Sequence, residues 1–193
     1  SRLLEIARSK IVQAAKRSGI NLKQSYAKEG KELRRKAGGY AHAKQFRRMR
    51  KTVKRQRTIL GIVLREIKRK LATTERESSA SLQHLNTLLE RAQRIHQQQP
   101  KDKNKLYALH APEVECIGKG KARKPYEFGV KASIVVTHKN GLMIGAKTFP
   151  GNPYDGHILH KQLTQTQILL ENAGSTPKQV IADLGFRGVD ADN

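Results

Sequence analysis

The spacing of apolar residues changes about half-way along the 193-residue chain, and no other feature limits the fold as much. Up to residue 95 apolar side chains return at steps of three and four, the period of a helix. From residue 113 they return at every second position, the period of a strand with one buried face. A helical half followed by a stranded half implies an α+β chain.

In the first half Leu3, Leu4, Ala7, Ile11, Ala14 and Ala15 share one helical face, and Gly19 is placed to end it. A less regular helical segment follows between residues 22 and 36, broken by Gly38 and Gly39. The clearest element comes next. Phe46, Met49, Val53, Leu60, Val63 and Ile67, with Gln56 filling one position, form a seam like that of a coiled coil. Beyond the polar residues 73–79, Leu82, Leu85, Leu89, Ala92 and Ile95 continue on another helix, and a turn between the two lets them fold back antiparallel, seam against seam. Residues 97–105 are polar and hold Pro100, as a linker does. These patterns divide the chain into a helical domain over 1–99, a linker over 100–109 and a stranded domain over 110–193.

The stranded half opens with an alternating run at residues 113–117. A basic loop, GKGKARK at 118–124, follows and is closed by Pro125. It lacks the spacing of a nucleotide P-loop, and it suits either a phosphate backbone or a plain hairpin. Residues 126–138 alternate through Phe128, Val130, Ala132, Ile134 and Val136 as one strand. Asn140-Gly141 signals a hairpin turn, and residues 142–149 return antiparallel. The GNPYDG loop at 151–156 places Asp155 as N-cap of a helix that turns Leu159, Leu163, Thr166 and Leu170 inward and ends at Gly174. Finally VIADLGFRG, residues 180–188, reads as a strand that delivers Asp183 at its carboxyl end, with Gly185 turning the chain away. Asp-x-Gly is also ordinary turn chemistry.

Charge bears on partners. Lys and Arg total 39 against 16 Asp and Glu, a formal net charge of +23. The excess sits in residues 1–99, with 26 basic against 7 acidic residues, compared with 13 against 9 in the rest. Arg47, Arg50, Lys51, Arg48, Lys54, Arg55 and Arg57 spread a basic surface round the long helix. Such a run is usually just a solvated face. The near absence of acidic residues between 41 and 65 argues instead for a polyanion, since like charges repel unless a counter-anion joins them. At 5% aromatic residues and no Trp the chain is poor in stacking platforms, which favours duplex over single strands. The one cysteine, Cys116, excludes an internal disulfide and a cysteine zinc cluster. No apolar run has the length of a membrane span, and no signal peptide is visible. A cytoplasmic or nucleoid-associated protein with no membrane partner and no small-molecule substrate is the expectation.

Several polar residues have plain alternatives. His157 and His160 lie three apart but lack a third ligand nearby, so they are expected to face solvent or to cap. Asp155 reads as a cap rather than a catalytic base, and Asp190 and Asp192 as loop residues. Glu127 and Lys131 should share a strand face and pair. Arg187 suits either a phosphate or a salt bridge to Asp190.

HAPEVECIGKGKARKPYEFGVK at 110–131, GNPYDGH at 151–157 and DLGFRG at 183–188 together resemble the catalytic domain of bacterial insertion-sequence transposases of the DDE type, specifically the fifth insertion-sequence family. The resemblance is looser over the basic helices. It implies a ribonuclease H-like fold in which two Asp and one Glu hold divalent ions, here magnesium, for DNA cleavage and strand transfer. Of those three, only the second Asp maps here, onto Asp183, as catalytic residue and metal ligand. In relatives the first Asp lies on a strand just before the stretch resembling residues 1–8, and the Glu on a helix beyond residue 193. The chain is therefore expected to be an internal fragment: a basic helical insertion followed by a partial ribonuclease H-like domain, a β-β-α-β core without its first catalytic strand and its C-terminal helices. Alone it is expected to be inactive. The DNA-contact candidates are the seven basic residues of the long helix together with Lys119, Lys121, Arg123, Lys124 and Arg187. The alternatives are a non-catalytic basic nucleic-acid-binding protein, or an interaction module that forms a homodimer through the seam from Phe46 to Ile67.

Overall fold

A computed structural model describes residues 1–73, 79–120, 122 and 125–187. They form two compact units, Ser1–Pro112 and Glu113–Asn193. The described elements are helices and two small antiparallel sheets, an α+β composition.

The first unit holds four helices, α1 (Arg2–Arg17), α2 (Ala27–His42), α3 (Phe46–Ala72) and α4 (Ala80–Gln97). The apolar stripe of α1 is buried as its spacing requires, with Ala7, Ile11 and Ala15 wholly inside. Gly19 takes the left-handed conformation, φ 71°, just past the helix end. The expected break at Gly38 and Gly39 does not occur, because α2 runs through both. Its start is marked by Tyr26 in the left-handed region, and its packing on α3 outweighs the roughly 1 kcal/mol that each interior glycine costs relative to Ala.

The α3 seam is buried from Gln56 to Ile67, whereas Phe46 is half-exposed. The contacts Arg57 to Gln98, Gly61 to His96 and Lys68 to Gln93 descend one helix while climbing the other, so α3 and α4 run antiparallel. They do not close on each other alone. α4 packs chiefly against α1 and α3 chiefly against α2, so the seam is shared among four helices. Ser79 caps α4, its hydroxyl accepting from the Leu82 amide at 3.3 Å. The stretch expected to be a linker packs on these helices. Leu106 and Leu109 are buried, Gln98 exchanges two hydrogen bonds with the Leu106 backbone, and Arg91 donates to the Leu109 carbonyl at 3.0 Å. Two apolar residues six to nine positions beyond a prolyl turn suffice to draw a polar stretch into a core.

Beneath α2 lies a buried ion pair. Arg8 Nε and Nη2 donate to the two Glu5 oxygens at 2.9 and 2.7 Å, and Nη1 donates to the Ser25 carbonyl at 2.6 Å. A Cβ on Gly30 would stand 2.7 Å from Arg8 Nε, so the helix approaches the pair only because that residue is glycine.

The second unit holds β1 (Glu115–Gly118), β2 (Tyr126–Gly129), β3 (Lys131–Val136), β4 (Met143–Phe149) and α5 (Leu159–Leu170). β1 pairs with β2 and β3 with β4, both antiparallel. The single strand expected over 126–138 is thus split at Val130 between two sheets. Beyond the break Lys131 is drawn toward the loop that follows β4. Gly141 turns the β3–β4 hairpin at φ 62°, as its dipeptide signal indicated. α5 lies on that hairpin, where a Cβ on Gly145 would meet Thr166 and Gln162. Those two residues, rather than the leucines, are the buried ones, and Gly174 in the left-handed region follows the helical stretch. The strand expected over 180–182 is absent. No strand lies alongside it among the described residues, and an extended backbone holds as a strand only where a neighbour satisfies its amides and carbonyls. Ile181 is accordingly 74% exposed.

Candidate functional site

Asp183 heads a tight 3-10 turn, Leu184–Phe186. Its Oδ1 accepts from the Gly185 amide at 2.7 Å, so the carboxylate is fixed on its own turn while the residue stays exposed. Turn chemistry and accessibility coexist here. The side chain is both the cap of the turn and a hard oxygen donor open to solvent.

The GNPYDG loop reaches the same turn. The Tyr154 hydroxyl donates to the Arg187 carbonyl, and Asp155 Oδ2 lies 3.1 Å from where a Cβ on Gly185 would stand, against 2.8 Å for Asp183 Oδ1. The two carboxylates therefore crowd the same point, which a larger residue would fill. The loop is anchored to the sheets at two places. The Gly151 amide donates to both Glu115 oxygens at 3.0 Å, and Lys131 Nζ pairs with Asp155 Oδ1 at 2.7 Å while donating to the Pro153 carbonyl.

Two readings of single residues change. Asp155 occupies the residue before the 3-10 turn Gly156–Ile158, yet its side chain caps nothing, because its backbone is already helical (φ −62°, ψ −39°) and an N-cap needs an extended one. Lys131 does not pair with Glu127. It pairs with Asp155, and Glu127 pairs with Lys119 at 3.4 Å. His157 is exposed, its ring edge-on to Tyr154 at 5.5 Å, and His160 is exposed on α5. Among the described residues no group of three or more His, Cys, Asp or Glu is arranged to hold a metal. Arg187 is exposed at the end of the Asp183 turn. Lys121, Arg123, Lys124, Asp190 and Asp192 lie outside the described residues.

Of the seven basic residues singled out on α3, six are exposed and Arg57 is half-buried. Arg55 is held bidentately by Glu29 of α2 at 2.7 and 3.2 Å, and the same carboxylate raises its pKa further. Arg48 donates to Gln45, and Arg57 to the Gln98 carbonyl. Arg47, Arg50, Lys51 and Lys54 have no acidic partner among the described residues. Spacing alone did not separate the compensated residue from the uncompensated four, since Glu29 is 26 residues from Arg55.

The family model for the transposase DDE domain matches residues 92–191, just over half of the chain. The chain belongs to the DDE transposases. No curated protein matches it, and no solved structure does. The transposase match takes in both sheets, α5, the GNPYDG loop and Asp183. Membership places the chain in transposition, and in the complete protein the family's activity is that of a nuclease or transferase. DDE transposase domains generally use divalent metal ions. The donors present suit a hard cation, being carboxylate oxygens rather than thiolates or imidazoles, although Asp155 is already neutralised by Lys131. No helix among the described residues is long and apolar enough to cross a membrane.

Proposed function

We propose that the chain serves a DNA transposase in two ways, holding duplex on its basic helices and supplying Asp183 to the metal site that cuts and joins strands. The observation that carries this reading is Asp183 itself, exposed at the head of a fixed turn within the stretch that matches the family. Phosphoryl transfer of this class uses metal ions to activate the attacking oxygen and to stabilise the leaving one. Magnesium is the natural ion for carboxylate oxygens, and Asp183 acts there with the two other carboxylates of the family, since one carboxylate cannot fix two ions. The order of a hairpin, a helix laid over it and then the Asp turn supports a ribonuclease H-like arrangement for the second unit, with the helices as a basic insertion.

Asp183→Asn, placed beside those two carboxylates, is expected to abolish magnesium-dependent cleavage and to leave duplex binding within about twofold, because it removes a ligand and no phosphate contact. Cleavage at the unmutated rate would overturn the assignment. A non-catalytic nucleic-acid-binding protein is the second reading, favoured by the uncompensated face of α3. Under that reading Asp183→Asn changes nothing. Self-association through the seam finds less support, since Leu60, Val63 and Ile67 are buried inside the chain. A homodimer would need another surface.

A further inference from the structure

We infer that Lys131 and Asp155 are positioning residues for Asp183, an inference that rests on Asp183 being a metal ligand. Three contacts carry it. The Tyr154 hydroxyl holds the carbonyl at the far end of the Asp183 turn. Asp155 Oδ2 sits against Gly185, the residue whose amide fixes the Asp183 carboxylate. Lys131, with only 16% of its side chain exposed, ties the loop bearing both residues to the first residue of β3, through Asp155 Oδ1 at 2.7 Å and the Pro153 carbonyl. The turn has no strand of its own behind it, because residues 180–182 are unpaired. Its orientation therefore depends on the loop, whose start is held by Glu115 at the Gly151 amide and whose end beside the turn is held by Lys131.

The inference has a sign that separates it from plain electrostatics. A lysine ammonium near a bound dication repels it, so its removal should tighten metal binding if charge were all that mattered. If Lys131 positions Asp183, its removal weakens binding instead. The same sign separates positioning from a rival role in which Asp155 is itself a ligand and Lys131 merely competes for it.

The test is a titration of manganese(II) into the 193-residue chain, read as paramagnetic broadening of the Gly185 and Phe186 backbone amide resonances. Broadening centred on this turn is expected, and Asp183→Asn removes it. Lys131→Met and Asp155→Asn should each require about tenfold more manganese for the same broadening, the usual range for residues that orient a metal ligand. Lys131→Arg, which keeps the ion pair, should restore it, and resonances of β3 and β4 report in the same spectra whether each variant is folded. Unchanged or stronger broadening in Lys131→Met, with Asp183→Asn still abolishing it, would overturn the positioning role alone. Broadening that ignores Asp183→Asn would overturn the metal-ligand reading beneath it. Should Lys131→Met lose its β3 and β4 resonances, Asp155→Asn decides: unchanged broadening there overturns the proposal.

Discussion

His96 shows how little room a residue needs to acquire a function in stability. It lies on α4 against Gly61 of α3, its Nδ1 buried without a hydrogen-bond partner. Burial lowers its pKa from the ordinary 6.5, and Arg57 and Arg65 lower it further. Below 6.5 the unfolded chain therefore takes up a proton that the folded chain resists, so stability falls as pH drops from 6.5 to the folded pKa and is flat above that window. Urea unfolding of the unmutated chain between about pH 5 and pH 8 should show this loss, and His96→Gln should lack it. Identical pH profiles for the two would contradict the account. At the same scale, the turn at Asp183 was legible because an Asp before a turn-forming glycine has a local signature. Lys131 and Asp155 could not be joined that way. They are 24 residues apart and meet through a loop whose path no periodicity encodes.

Among the elements, α1, α3 and α4 were readable because each buries a stripe, and a stripe leaves its period in the chain. α2 was not. It buries little besides Gly30 and Ala37, so it has almost no stripe, and its two adjacent glycines signal a break that tertiary packing overrides. A Cβ at either Gly38 or Gly39 would meet nothing within 4 Å. Gly38→Ala and Gly39→Ala are each expected to stabilise the helical unit by about 0.5–1 kcal/mol, measured as a higher urea midpoint at unchanged slope. A loss of stability would mean that the segment is not helical. The alternation over 126–138 was read correctly as strand and wrongly as one strand, because alternation specifies faces and leaves the choice of neighbour open. The segment at 180–182 failed for the related reason that β character without a partner is only an extended chain.

For the whole molecule, charge is the property most directly given by composition, yet composition overstates how many charges are available. Of the seven basic residues singled out on α3, Arg55 is already paired with Glu29, whereas Arg47, Arg50, Lys51 and Lys54 are not paired with acid among the described residues. Duplex binding should weaken steeply as salt rises, since each phosphate contact releases counterions. Replacing those four by Gln is expected to flatten the slope of log K against log salt by about one unit for each side chain that meets a phosphate. Arg55→Gln should alter it far less. Equal effects from Arg55 and its four neighbours would show that the Glu29 pair opens when DNA binds.

The packing of α1 chiefly on α4 has a consequence in time. During synthesis α1 leaves the ribosome with α2 and α3 directly behind it, while the helix it packs on more than on any other is made only after all three. Ile11 and Ala15 thus wait through the production of more than half of this chain's helical unit before they are enclosed. A nascent chain arrested before Ala80 would carry an open apolar groove, the natural place for a chaperone to bind, and one released after the Leu106 and Leu109 contacts would carry none.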